Sequence, residues 1–380
     1  MSKTKNLQLI TQIDDDLFKA VSGLNMLDTI TPINYKLEKQ AFFDSNFSVN
    51  PNFLYSKKKI NYFKRKRALF NLPIDKLKDE DLFTLYNDVI ESYIDRLDQH
   101  KSVGTPEFLY DSLRYFGEPT EKDLRNAQFI LHLPDDIEED NEDKLLNSEK
   151  LSAFLADFSK QNKYKCKIET SDSMIANALV SGTTVKINEA AKVTETEAHA
   201  LAHHELGVHL VTTLNARKQP FRILSLGCPV NATTQEGIAI LCEYLSGNLT
   251  LSRLKVLALR VIAVNSMINE KDFRSTFLLL KEQYKVKDDL AFTITARAYR
   301  GGGYTKDYLY LQGFHQMLNA YETDENFNNL LCGKTSYEYL PLITRLIDKD
   351  YLIAPKYISP AIAQPQEVQE VHKFIVHAVK

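Results

Sequence analysis

The sequence predicts an α+β protein that is predominantly α-helical, with one small sheet in its second half. Three observations lead there. Apolar residues recur at three-and-four spacing in the stretches DEDLFTLYNDVIESYIDRL and TPEFLYDSLRYF, the signature of amphipathic helices. Only two short runs, KYKCKIET and TTVKINE, are β-prone, and turn-forming residues flank both. With 380 residues and 44% hydrophobic side chains, the chain can bury the core of one large domain or two modest ones.

Taken in order, residues 14–140 read as helical scaffold, closed by the acidic run LPDDIEEDNEDK at 133–144, which suits a solvated loop or linker. A boundary just after that run divides a mostly helical N-terminal region, 1–145, from a second region, 146–380, that holds the candidate chemistry. The β-prone runs come first in the second region. Helix follows from 194 to 214, with Thr194 as N-cap and Glu197 three residues on as a capping box. A further helix is expected from about 233 to 246, stopped by Gly247, and others over 251–282 and 308–321.

Charge and composition exclude several classes. The 47 Lys and Arg nearly balance 50 Asp and Glu, and a net charge of −3 argues against broad capture of nucleic acid or anionic lipid. The basic cluster at 57–67, Lys57, Lys58 and Lys59 followed by Lys64, Arg65, Lys66 and Arg67, reads first as a solvated helix face; an acidic peptide or nucleic acid is the alternative partner. Cys166, Cys228, Cys242 and Cys332 contain no CxxC pair, so buried free thiols are expected rather than a disulfide framework or thiolate cluster. The polar start MSKTKNLQLITQIDDDLF has no apolar stretch of signal-peptide type, which leads to the expectation of a cytoplasmic protein. The most apolar stretch, 256–264, is broken by Arg260 and is far shorter than the roughly 20 residues of a membrane span, so no membrane partner is expected. Nothing in the sequence sets the oligomeric state.

The chemistry is concentrated in Ala202-His203-His204-Glu205-Leu206-Gly207-Val208-His209. It resembles the zincin signature HExxH, in which two histidines one turn apart bind zinc and the glutamate activates water. Here the spacing is HExxxH. Residues five apart on an α-helix differ by about 140° around the axis, against about 40° for residues four apart, so a regular helix cannot aim both rings at one ion. A π-bulge, one wide turn, restores the shared face, and Gly207 makes the distortion cheap. A histidine-rich helix face without metal is the competing interpretation. His199 and His203, four apart, also form a geometrically easier pair, and spacing alone leaves the ligand set open. The candidate third ligand is Glu236 in the first turn of the helix beginning near Thr233, although a glutamate there also complements the helix dipole.

The pair HHELGVH and TQEGIA resembles the microtubule-associated tyrosine carboxypeptidase family and its bacterial relatives with a QEGLA motif. The likeness continues through RAYRGGGYTKDYLYLQG at 297–313, CGK at 332–334 and NPNFLY near Asn50, and covers most of the chain. Ala216 after Asn215, and Ile238 within the QEGLA position, depart from the pattern without touching a ligand. The resemblance implies a zincin-like catalytic domain and a zinc metallocarboxypeptidase with His204, His209 and Glu236 as ligands and Glu205 as base. Its substrate would be a peptide or protein C-terminus ending in tyrosine or another aromatic residue; eukaryotic relatives act on the terminal tyrosine of tubulin. Such an enzyme needs an oxyanion donor, for which Tyr304, Tyr299 and His203 are candidates in that order. It also needs a cation for the substrate carboxylate, and Arg297, Arg300 and Lys306 lie in the right segment, beside the close-approach glycines 301–303. The run 183–188, ahead of the metal helix, is a candidate edge strand for substrate. The alternatives are a non-catalytic binding or regulatory protein that keeps the fold, and a carboxylate-bridged iron pair. Glu205 argues against the first because a closed structural site needs no acid there, and the second lacks another Glu-x-x-His motif.

Overall fold

The computed structural model describes residues 3–56, 60–134, 145–172, 174–368 and 370–379. Lys57, Lys58, Lys59 and acidic residues 135–144 lie outside the described residues. The architecture is α+β and predominantly helical. The chain forms two compact units, residues 1–133 with 255–311 and residues 134–254 with 312–380.

In the first unit lie α1 (Lys3–Val21), α2 (Met26–Ile30), α3 (Tyr35–Asp44), α4 (Tyr62–Phe70), α5 (Glu80–Ser102), α6 (Glu107–Phe116) and α7 (Glu121–His132). The two periodic stretches noted above became α5 and α6. Asp79 caps α5 by accepting from the backbone N–H of Asp81 and Leu82, donors that otherwise have no intrahelical partner. An aromatic cluster forms part of this unit's core, with Phe42 4.9 to 5.5 Å from Phe277, Phe273 and Phe292. On α4 the basic cluster is partly structural: Arg65 donates to the carbonyls of Ala20 and Ser22, and Lys66 pairs with Asp98.

The second unit contributes β1 (Leu146–Asn147), α8 (Ser148–Gln161), β2 (Lys167–Ser171), β3 (Ala178–Ser181), β4 (Thr184–Asn188) and β5 (Lys192–Val193). Strands β2, β4 and β3 form one small sheet in that order, and β1 pairs with β5. The expectation of an edge strand at 183–188 is corrected here. β4 is the central strand, parallel to β2 and antiparallel to β3, so its backbone is bonded on both sides. β3, whose short ALVS sequence gave no strand signal, holds an edge instead.

Next come α9 (Glu195–Leu201), a π-helical segment (Ala202–Leu210) and α10 (Val211–Ala216), a continuous helical rod. Thr194 and Glu197 form the expected capping box at its start. The wide turn is longer than the single bulge anticipated: nine residues are π-helical. Packing gives a reason. Ala198, Ala202, Leu206, Leu210 and Leu214 recur every fourth residue and all enter one buried cluster with Leu151 and Leu155 of α8 and Val185 and Ile187 of β4. At 3.6 residues per turn that stripe would drift about 160° around the axis over its length. Wider turns keep it facing the sheet and α8, where each buried leucine contributes about 1.5 to 3 kcal/mol.

Later elements are α11 (Ile223–Leu226), α12 (Ala232–Leu245), α13 (Leu251–Glu270), α14 (Phe273–Leu278), α15 (Asp288–Tyr299), α16 (Leu309–Thr323), α17 (Leu340–Asp348), α18 (Pro360–Ala363) and α19 (Glu370–Ala378). Among described residues no helix is long and apolar enough to cross a membrane. Within the second unit α12 and α16 meet backbone to backbone. A Cβ on Gly237 would lie 2.3 Å from the carbonyl oxygen of Gly313, and one on Gly313 would lie 2.1 Å from that of Thr233. Gly237→Ala or Gly313→Ala should therefore cost about 3 kcal/mol, the upper part of the usual range for overpacking. Urea midpoints followed by circular dichroism would test this, and a wild-type midpoint in both variants would reject the close crossing.

Candidate metal centre

The π-helical segment determines which side chains meet. Hydrogen bonding from i to i+5 places residues five apart one turn apart, so His204 and His209 share a side of the rod. Their rings stand 5.0 Å apart at 73°. His204, Glu205 and His209 each offer a ligand atom, all within 4.8 Å of one another, a group that could hold a metal ion. Glu236, just past the first turn of α12 rather than within it as the sequence suggested, and one residue before the Gly237 crossing, enters from the side. Its Oε2 lies 3.6 Å from His204 Nε2 and 3.5 Å from His209 Nε2. Both separations exceed a normal hydrogen bond. They approximate the edge of about 3.4 Å between two ligands of a tetrahedral ion bonded at about 2.1 Å, so the donor set fits such an ion.

Glu205 is held differently. Its Oε2 accepts from the Val180 backbone N–H on β3 at 2.9 Å. In the register with β4, Val180 faces Val185, and its N–H points to the sheet's edge rather than into the ladder. Burial raises the Glu205 carboxyl above its ordinary value, with His209 and His204 opposing and Glu236 reinforcing the rise.

Behind His204 stands a pair that belongs to none of the sequence motifs. His204 Nδ1 is 2.7 Å from Glu243 Oε1, and Arg253 grips Glu243 in a fork, Nε to Oε2 and Nη2 to Oε1, both at 3.1 Å. Burial would raise the Glu243 carboxyl, yet Arg253 and His204 outweigh it and hold it near 2. Glu243 follows Glu236 by two helical turns on one face of α12, a spacing that could have flagged it. Burial would likewise lower His204, but its contacts with Glu236 and Glu243 prevail and raise it well above 6.5.

His199 and His203, the alternative pair, lie elsewhere on the rod. They set their rings edge-on to Phe154 and Phe158 of α8, at 4.7 and 5.1 Å. Gly207 also has a packing role, because a Cβ there would come within 3.0 Å of Ser359 Oγ, which accepts from Cys242 Sγ. Asn215 ties the end of the rod down by donating to the carbonyls of Leu331 and Tyr357 and accepting from the Tyr357 N–H. All four cysteines are free thiols, with Cys166 half-buried and the others buried.

The remaining sequence candidates belong to the first unit, where Arg297 and Arg300 gather around buried Asp307. Arg297 bonds it through Nε and Nη2, and Arg300 Nη2 lies 3.5 Å away with its guanidinium over the Tyr304 ring. Lys306 Nζ is 5.4 Å from the Tyr310 ring centre. Tyr304 is buried against Phe108 and Phe116, and burial pushes its hydroxyl pKa up. Tyr299 hydrogen-bonds Thr276. Gly301, Gly302 and Gly303 all have positive φ, and a Cβ on each would press on Phe108, Thr105 or Leu109, so packing within this unit accounts for the triple glycine.

Fold and site together place the chain in the class of predominantly helical α+β proteins that carry an HExxxH helix and a glutamate on a neighbouring helix. Residues 40–380 match the family model described as microtubule-associated tyrosine carboxypeptidase, and the chain belongs to that family. No curated protein matches the chain.

A pH effect follows for the metal-free protein. The folded value of His204 is raised, so its protonated contacts stabilise the fold fully below about 6.5, and that contribution is lost as pH climbs toward 10. Thermal melts of chelator-treated protein should therefore fall between pH 6.5 and 10, and saturating metal, which replaces the proton, should flatten the decline. A metal-free profile as flat as the loaded one would contradict this account.

Proposed function

We propose that the chain is a zinc-dependent metallocarboxypeptidase that removes a C-terminal residue, tyrosine or another aromatic, from a peptide or protein. The observation that carries this reading is the placement of Glu236 Oε2 nearly equidistant from the two imidazole Nε2 atoms, at a tetrahedral edge length. Two imidazoles and one carboxylate are a donor set suited to zinc, with a fourth position left open. Membership of a carboxypeptidase family supports hydrolysis at a chain end, and the family's description supplies the tyrosine.

His204, His209 and Glu236 would hold the ion. Zinc held there would supply Lewis acidity, enough to bring the pKa of a water toward about 7 and to polarise a carbonyl. Glu205 takes the water's proton and passes it to the leaving amine. The Val180 N–H fixes Oε2, which leaves Oε1 for that transfer. The family resemblance is what suggests Tyr304 as oxyanion donor and Arg297, Arg300 or Lys306 as carboxylate partner; within their own unit Tyr304 packs against Phe108 and Phe116, and Arg297 and Arg300 face Asp307.

Purified protein should carry about one zinc per chain by elemental analysis. Glu236→Ala should lose tight binding, and unchanged occupancy would reject it as the third ligand. Glu205→Gln should keep the metal and lose roughly 10²- to 10⁴-fold in kcat, because the amide is nearly isosteric but cannot accept the proton. Activity close to wild type would remove Glu205 from the mechanism. Amidating the substrate's C-terminus should block cleavage, and equal rates on free-acid and amidated peptides would indicate an endopeptidase.

A further inference from the structure

We propose that Glu243, gripped by Arg253, is a positioning residue that sets the orientation and strength of His204 as a metal ligand. The inference rests on the zinc reading above but concerns residues outside its ligand set. The His204 ring is held at both ends by carboxylates from one helix. Glu236 lies 3.6 Å from Nε2, and Glu243 lies 2.7 Å from Nδ1. With the Nδ1 proton donated to Glu243, the lone pair of the neutral ring resides on Nε2 and points toward Glu236 and His209. A carboxylate at Nδ1 also increases electron donation through the ring, which a backbone carbonyl or water does less effectively.

Arg253 makes this arrangement sustainable. Glu243 is almost completely buried, and an unpaired carboxylate there would be costly. The guanidinium engages both carboxylate oxygens at 3.1 Å, which fixes the plane of the carboxylate and neutralises it. His209 is treated differently: its side chain is more exposed than that of His204. The two histidines are thus unequal, with His204 as the oriented anchor.

The test uses full-length protein and measures zinc dissociation constants by competition with a chromogenic chelator. Metal-free melting temperatures and visible spectra of cobalt-loaded samples accompany each variant. Glu243→Gln preserves volume and a neutral hydrogen bond, and it should weaken zinc about tenfold or more within the ten- to hundredfold range for such partners. Arg253→Lys keeps the charge but loses the fork, and should weaken zinc less while shifting the cobalt spectrum. Affinities within about threefold of wild type in both variants would overturn the proposal, including when the metal-free melting temperature drops, since that pattern belongs to packing alone. Should Glu243→Gln fail to fold, the Arg253→Lys affinity decides the matter. Wild-type protein that binds no zinc defeats the zinc reading and this inference together, whereas tight wild-type binding with insensitive variants defeats only the inference.

Discussion

Two imidazoles five residues apart can address one ion only if the helix between them turns more slowly than an α-helix, and this requirement governs the second unit. The π-helical segment at Ala202–Leu210 meets it, placing His204 and His209 on one side. The same widening keeps the four-residue stripe from Ala198 to Leu214 on the opposite, buried side. Wide turns of this kind occur mostly as single bulges, so nine consecutive residues of them are a costly departure from α geometry. Burial of Leu206, Leu210 and Leu214 against α8 and the sheet offsets that cost, so ligand geometry and core packing favour the same distortion.

Around this rod the site is assembled from neighbours with different jobs. α12 brings Glu236 to the Nε2 atoms and Glu243 to the far side of His204. β3 brings a backbone amide to Glu205, separating that glutamate from the one aimed between the imidazoles. Two carboxylates that look equivalent in composition are thereby distinguished by what holds them, one by a peptide N–H and one by its placement on a packed helix. Both are buried, and each meets different polar partners.

Much of this was legible in the amino-acid order. The helical halves followed from three-and-four periodicity, the start of the rod from the Thr194 and Glu197 box, and the need for a wide turn from the extra residue in HExxxH. The length of the π segment was legible too, in retrospect, because an apolar residue every fourth position over 198–214 fits no 3.6-residue helix. β3 was not legible: four residues with one polar member carry almost no periodic signal, and their strand state depends on pairing with β4. That pairing also made β4 central where an edge strand was expected. Glu243 left one trace, its two-turn spacing from Glu236, whereas Arg253 was hidden because it is an ordinary charged residue until tertiary packing brings it to Glu243.

The glycine crossing has a consequence for anyone wishing to transplant the centre. Glu236 stands immediately before Gly237, whose α-carbon hydrogens rest near the backbone of Gly313. The reach of the third ligand is therefore gauged by one main chain lying on another, with no side chain between them to yield or to be redesigned. Copying the HExxxH helix and the α12 glutamate into a new scaffold would carry the donor atoms but not that gauge. A faithful graft needs the α16 segment around Gly313 as a third piece, although it contributes no atom to the ion.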